Sequence, residues 1–260
     1  MFEQIREYCL PFGEKIGVVI EDLVTGEMME INQNKSFSSA SLIKYPIMWC
    51  FFQLVSEGKI SLDEIYVLHD EDKVGVSVFD TGVLRELHDG VELTLEDCLK
   101  FMIVISDDTA TNIIMKKIGF ETMNRMFQKI CLVETKVGRL MMDYDGLKQG
   151  RDNYVSAGDM NRLSKLICNN LVLEKEWNER MLQILLRQRE NDGINKYYPM
   201  DFLYAHKCGC IRQFGIDHES GILFQNDKPR VMVSVCTRGI KDSRIVLQNI
   251  GRKIYHEIFM

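Results

Sequence analysis

The texture of this chain changes twice, and that order limits its possible folds more than any other feature. Near the N-terminus, Ile16-Gly17-Val18-Val19-Ile20-Glu21-Asp22-Leu23 reads as a buried strand. Thr25-Gly26 is a turn signal, and Met28-Met29-Glu30-Ile31-Asn32 reads as the returning strand of a hairpin. From Ser41 to about residue 190 apolar residues mostly recur at helical spacing. Beyond about residue 195 strands return at 202–208, 220–224 and 230–235, and a final helix is expected over 240–259. The turn Asn226-Asp227-Lys228-Pro229 joins the last two strands. Strands from both ends can complete one antiparallel sheet, with the intervening helices as a second lobe. The expected fold class is therefore α/β, in the α+β layered sense. Residues 1–40 and 195–260 build the sheet lobe, residues 41–194 an all-α lobe, and the active site belongs in the cleft between them.

Within the middle segment, Gly58 should end the helix that begins near Ser41. Residues 65–90 are poorly periodic and punctuated by glycine, and are expected mostly as loop. Helices follow at 95–105, at 109–118 (closed by Gly119) and at 121–132. A loop over 133–154 precedes helices at 156–168, where Ser156 and Asp159 mark the N-terminus, and at 173–189.

Composition narrows the function classes. The 260 residues are 46% apolar and 27% charged, as in ordinary globular proteins that bury a large core. Lys and Arg number 32 against 38 Asp and Glu, with no basic tract, which argues against nucleic acid as a partner. No apolar run is long enough to span a membrane, so no membrane partner is expected. The N-terminal Met1-Phe2-Glu3-Gln4-Ile5-Arg6-Glu7 lacks a secretory pattern. The expected location is cytoplasmic, or exported if the natural chain begins upstream of this Met. Eight cysteines are scattered without C-x-x-C pairs and are expected as thiols.

The chemistry concentrates around Ser38-Ser39-Ala40-Ser41-Leu42-Ile43-Lys44-Tyr45-Pro46. If Ser41 opens the helix, Lys44 lies one turn later on the same face. A hydroxyl and an amine would then sit together at a helix N-terminus, where N–H groups and the dipole favour developing negative charge. That arrangement suits a serine nucleophile with a lysine base. The alternative is that Ser41 merely caps the helix and Lys44 is an exposed helical lysine. Two further signals decide between them: Ser106-Asp107-Asp108 at a break between helices, and Lys207-Cys208-Gly209 late in a strand. Ser106 follows Ser41 by 65 residues, and Lys207 follows Ser106 by 101. Each motif alone has decoys, such as Ser56-x-x-Lys59 and Lys136-x-Gly138, but the ordered combination on suitable elements does not.

Together these motifs resemble the S-x-x-K, S-D-N and K-T-G signature of class A β-lactamases and other penicillin-recognising serine hydrolases. The resemblance runs from about Gly17 to Tyr255. It includes Ser106-Asp107-Asp108-Thr109-Ala110-Thr111-Asn112, Gly150-Arg151-Asp152-Asn153-Tyr154 near the end of an omega loop, His206-Lys207-Cys208-Gly209 and Thr237-Arg238-Gly239. It implies a β-lactamase/transpeptidase-like fold and an acyl-enzyme mechanism without cofactor or metal. The implied substrate is a small molecule: a β-lactam, or a D-amino-acid peptide, amide or ester. By the same resemblance Ser41 is the nucleophile, Lys44 its proton-transfer partner and Ser106 the relay to the leaving group. Lys207 supplies positive potential, and the backbone N–H groups of Ser41 and Cys210 form the oxyanion hole. Asp108, Cys208 and Gly209 take the substrate-contacting positions.

The pattern is broken in four ways. Asp108 replaces an asparagine that could donate to a substrate carbonyl. Cys208 replaces a hydroxyl residue, and Cys208 and Cys210 share a strand face, which leaves a metal or redox pair as a minor alternative to structural thiols. No glutamate lies between Val137 and Gly158 to activate water for deacylation, and Asp143 and Asp145 are the spare carboxylates there. Asp152 is expected to maintain the loop. The missing export signal is the fourth departure. The expectation is a serine hydrolase that is acylated readily and released slowly, the alternative being a catalytically dead binding or sensor domain on the same fold.

Overall fold

A computed structural model describes residues 2–75 and 82–260. Its elements in chain order are α1 (Glu3–Cys9), β1 (Ile16–Asp22), β2 (Met28–Ile31), β3 (Phe37–Ser38) and α2 (Lys44–Ser56). Then come β4 (Ile65–Leu68), β5 (Val91–Thr94), α3 (Leu95–Val104), α4 (Asp108–Ile118) and α5 (Phe120–Lys129). The chain continues through α6 (Tyr144–Lys148), β6 (Tyr154–Val155), α7 (Ala157–Cys168) and α8 (Lys175–Leu185). It closes with β7 (Tyr204–Ile211), β8 (Ile216–Gln225), β9 (Lys228–Thr237) and α9 (Ser243–Ile254).

Five strands form an antiparallel sheet in the order β2-β1-β9-β8-β7, which unites both ends of the chain as the alternating texture predicted. Every residue of β1 is buried because helices cover both faces of the sheet. Side chains of successive residues leave opposite faces. Accordingly Ile16, Val18 and Ile20 join one apolar cluster with Ile5 of α1 and Leu247 and Ile250 of α9. Val19, between them, belongs to the other cluster, which runs into the helices. The β8–β9 turn places both Asn226 (φ 52) and Asp227 (φ 59) in the left-handed region, matching the strand twist as two-residue hairpin turns do.

Helix α2 is apolar on every side and buried from Lys44 to Phe52, as suits a helix at the centre of a bundle. Gly58, at φ 67, ends it in the left-handed cap that the sequence predicts. Two features of the middle segment differ from expectation. Residues 65–68 are not loop but strand β4, paired antiparallel with β5 through Ile65↔Thr94 and Leu68↔Val91. The segment also holds β6, which pairs with β3, so it is not purely helical. In both ribbons the partners lie far apart in the chain, and no hairpin turn announces them. Among the described residues no helix is long and apolar enough to cross a membrane.

Candidate active site

The turn that carries Ser41 is a short 3₁₀ segment, Ala40–Ile43, and α2 proper starts only at Lys44. Ser41 is therefore not an α-helical N-cap, contrary to the simpler sequence reading. In 3₁₀ geometry side chains three apart eclipse one another. Lys44 consequently lies against Ser41 with its Nζ 2.9 Å from Oγ. Ala40 enters the turn at φ 44, a conformation costly for a residue with a Cβ, and that kink lifts Ser41 out of the preceding β3 run.

Lys44 is fully buried, not an exposed helical lysine. Its Nζ donates to the Ser106 carbonyl at 2.6 Å, to Asp108 Oδ1 at 2.7 Å and to Ser106 Oγ at 3.1 Å, besides Ser41. Four acceptors surround a group with at most three protons, so one contact must yield at any moment. Burial pulls the Lys44 pKa down. The carboxylate of Asp108 opposes that shift, and the ammonium of Lys207 adds to it. A shift in that direction favours the neutral amine, whose lone pair can take the Ser41 proton.

Ser106 occupies the break between α3 and α4 at φ 61. The conformation is enforced by Asp107, whose Oδ1 caps α4 at Ala110 N (2.8 Å) while Oδ2 accepts from Val83 N (2.6 Å) and Leu84 N (2.8 Å). Ser106 Oγ is thereby held between two lysines, 3.1 Å from Lys44 Nζ and 3.2 Å from Lys207 Nζ.

Strand β7 forms the opposite wall. Lys207 is fully buried and also donates to the Cys208 carbonyl at 2.7 Å. A Cβ on Gly209 would lie 2.5 Å from Leu42 N and 2.6 Å from Ser41 N, so only glycine allows the strand this close to the nucleophile's turn. Cys210 is the next residue along. The Cys208 thiol donates to Glu190 Oε2 at 3.2 Å. Burial pushes that thiol well up, so it stays protonated and is not a thiolate ligand or nucleophile. All eight cysteines are free, and no group of three or more metal-binding side chains occurs among the described residues.

Glu190 was not singled out in the sequence, yet it belongs to this wall. Burial acts to raise its pKa, but Lys207, the Cys208 hydrogen bond, Arg244 and Lys44 together bring it below the ordinary glutamate value. The Gln188 side chain accepts from Glu190 N at 3.1 Å and donates to the Ile103 carbonyl at 2.9 Å. His206, pulled down to about 4 by burial and hence neutral, sits 3.1 Å from the Glu190 carbonyl. No motif flags Glu190, which lies in the aperiodic stretch after α8.

The loop over 139–152 is tied at its base by Arg139 and Asp152, with Nε to Oδ1 at 2.8 Å. Asp152 also accepts from Ser38 Oγ at 2.5 Å, which fits the loop-maintaining role read from sequence. Asn112 grips the loop from α4: its Oδ1 accepts from Met141 N (2.8 Å) and its Nδ2 donates to the Met141 carbonyl (3.1 Å). Asn112 stood in the quoted motif, but its partner could not be read there. The spare carboxylates make contacts within the loop itself. Asp143 caps α6 at Gly146 N (2.8 Å), and Asp145, with a side chain 83% exposed, pairs with Lys148.

Comparisons with known proteins agree with this architecture. The model of the β-lactamase enzyme family matches residues 1–258. The β-lactamase CARB-3 of Pseudomonas aeruginosa is 23% identical over 262 residues, covering 99% of this chain and 88% of that protein. A β-lactamase structure from Sphaerobacter thermophilus superposes with a TM-score of 0.88 at 24% identity, covering 99% of this chain and 97% of that one. The structure of PBP-A gives a TM-score of 0.85 at 22% identity, over 97% and 94% of the two chains. A variant of PBP-A, described as an acyl-enzyme complex with penicillin G, gives 0.86 at 23% identity, over 98% and 94%. With its sheet, its helices and its buried serine–lysine cluster all set within a family match that spans nearly every residue, this chain belongs to the β-lactamase enzyme family.

Proposed function

We propose that this protein is an active-site-serine hydrolase whose Ser41 is acylated in the cleft between the sheet lobe and the helical lobe. The observation that carries this reading is the position of Lys44 Nζ, which lies within hydrogen-bond distance of both Ser41 Oγ and Ser106 Oγ. Neutral Lys44 takes the Ser41 proton as Oγ attacks the acyl carbon. The backbone N–H groups of Ser41 and Cys210 receive the oxyanion. The proton then passes through Ser106 to the leaving group, whose bond to carbon breaks, and Lys207 holds the Ser106 hydroxyl during transfer. No step calls for a metal or cofactor. A dead binding domain on the same fold would have no chemical need to bury two lysines around one serine, since burying charge is costly even when it is paired. The test is covalent labelling: an activated ester or a labelled penicillin adds one acyl mass to the wild-type protein, and Ser41→Ala removes it. A folded protein that takes up no such mass, or a Ser41→Ala variant labelled equally, overturns the proposal.

Release of the acyl group is the weak half of the cycle. The loop residue that Asn112 holds against α4 is Met141, and the two acidic residues that follow cap or pair within α6. Neither carboxylate stands at the position that Asn112 grips, where Met141 is held instead. Met141→Glu places a carboxylate at the gripped position. It is expected to shorten the adduct lifetime by about 10²-fold, the lower end of what a positioned general base contributes. Decay of the isolated adduct, followed by mass, checks this. An unchanged lifetime would mean that the missing carboxylate is not what limits release.

A further inference from the structure

We propose that the site selects acyl donors carrying an ammonium group close to the reacting carbonyl, as in an α-aminoacyl ester or amide, over donors carrying a carboxylate. This deepens the reading of Ser41 as an acylated nucleophile and rests on it. The argument starts from where the charges fall. Both cations of the site are buried and already spoken for. Lys44 is ion-paired with Asp108 at 2.7 Å. Lys207 directs its Nζ to the Cys208 carbonyl and Ser106 Oγ, and its charge acts on Glu190. Asp108 thus pairs with Lys44 directly, and the Glu190 carboxylate, held by the Cys208 thiol at 3.2 Å, lies close enough to Lys207 to feel its charge. A substrate carboxylate would meet both of these negative groups beside the two lysines.

The hydrogen-bonding polarity is reversed as well. Beside Lys207, the protonated Cys208 thiol directs its one hydrogen bond to Glu190, so this position offers no hydroxyl donor to an incoming anion. Arg244, on α9, is ion-paired with Asp217 at 2.7 Å and Asp192 at 3.1 Å, although its guanidinium nitrogens make no well-directed hydrogen bond there. Across the cleft Asp108 accepts and cannot donate. One of its oxygens serves Lys44, and a carboxylate has about four lone-pair positions. Its side chain retains 10% exposure, whereas that of Lys44 has none, so Asp108 is the charged member of this pair that a ligand can reach. The complement of a mostly buried acceptor that still touches the cleft, beside a fully enclosed cation, is a positively charged donor.

Three probes sharing one acyl chain and one leaving group test the proposal: an α-ammonium ester, its N-acetyl derivative and its N-succinyl derivative. The first is cationic, the second neutral and the third anionic. The rate of acyl-mass gain on the wild-type protein is the readout. The expected order is ammonium, then acetyl, then succinyl, with about tenfold or more between the first and last, the scale of one partly desolvated charge pair. Asp108→Asn is expected to erase the advantage of the ammonium probe, and Glu190→Gln to raise the succinyl rate by freeing the potential of Lys207. A succinyl rate equal to or above the ammonium rate in the wild type overturns the proposal. So does a rate ratio unmoved in both variants. Absence of any adduct from all three probes overturns instead the reading of Ser41 itself.

Discussion

Replacing Lys44 by methionine is expected to slow acylation of Ser41 by about 10²–10⁴-fold, the contribution of a positioned general base. The side chain is fully buried and reaches both serine hydroxyls of the site, so no other described group is placed to take over its proton. The same substitution strands Asp108, whose Oδ1 loses its 2.7 Å partner in a nearly buried position. Breaking a buried pair from one side costs about 3–5 kcal/mol. The double variant Lys44→Met, Asp108→Asn removes the orphaned charge. It is expected to recover most of the stability in urea unfolding and none of the acylation rate. Recovery of both would mean that Lys44 only holds the fold together.

The pH dependence follows from the same pair. Acylation needs neutral Lys44, so the rate rises with pH through the Lys44 pKa, which burial sets below the ordinary lysine range. Asp108 and Asp107 favour the charged form and Lys207 disfavours it, and Glu190 is a further charged group that interacts with Lys44. Asp108→Asn withdraws the largest influence favouring the ammonium. The rising limb must therefore move to lower pH in that variant. A limb that stays in place, measured as adduct formation against pH, would contradict Lys44 as the base.

The second large effect is expected from Gly209→Ala. An added Cβ would lie 2.5 Å from Leu42 N and 2.6 Å from Ser41 N, and both neighbours are backbone and cannot swing aside. Strand β7 cannot simply withdraw, because Gly209 pairs with His218, whose Nε2 is 2.7 Å from the Ser38 carbonyl. The clash must be relieved by shifting the turn that presents Ser41 away from the Gly209–Cys210 backbone. Acylation is expected to fall about 10²–10³-fold, as when one oxyanion donor is lost. Stability should fall only about 1–3 kcal/mol, the usual cost of overpacking. Rate and urea midpoint measured together separate the two. A rate that falls no more than the folded population does would remove this strand from the oxyanion site.

Much of this was legible in residues and spacing, and the exceptions have physical causes. The pairing of Ser41 with Lys44 was readable because three residues make neighbours on an α-helix and on a 3₁₀ turn alike, although the 3₁₀ turn proved to be the reason. The five-stranded sheet was readable because β1, β9 and the later half of β8, Gly221-Ile222-Leu223-Phe224, carry apolar runs bounded by turn residues, whereas the polar first half of β8, Asp217-His218-Glu219-Ser220, gave no such signal. The β4–β5 ribbon was not, because its partners are separated by more than twenty residues with no connecting turn signal. Asp143 and Asp145 stood out as the spare carboxylates because a linear sequence does not show that Asp143 caps α6 and that Asp145 pairs with Lys148 on its surface. Glu190 was invisible for a related reason. It becomes part of the site through Cys208 and Lys207, residues of a strand reached only after an aperiodic connection.

The central claim is that Ser41 is well provided for attack and poorly provided for release. One time course of intact mass tests it most directly. The wild-type protein is mixed with an excess of activated ester, sampled, freed of reagent and sampled again. The account predicts a single acyl mass on the Ser41 peptide that forms rapidly and persists after the reagent is removed. A mass that never forms on Ser41, or one that is gone by the first sample because water releases it as fast as it arrives, would contradict it.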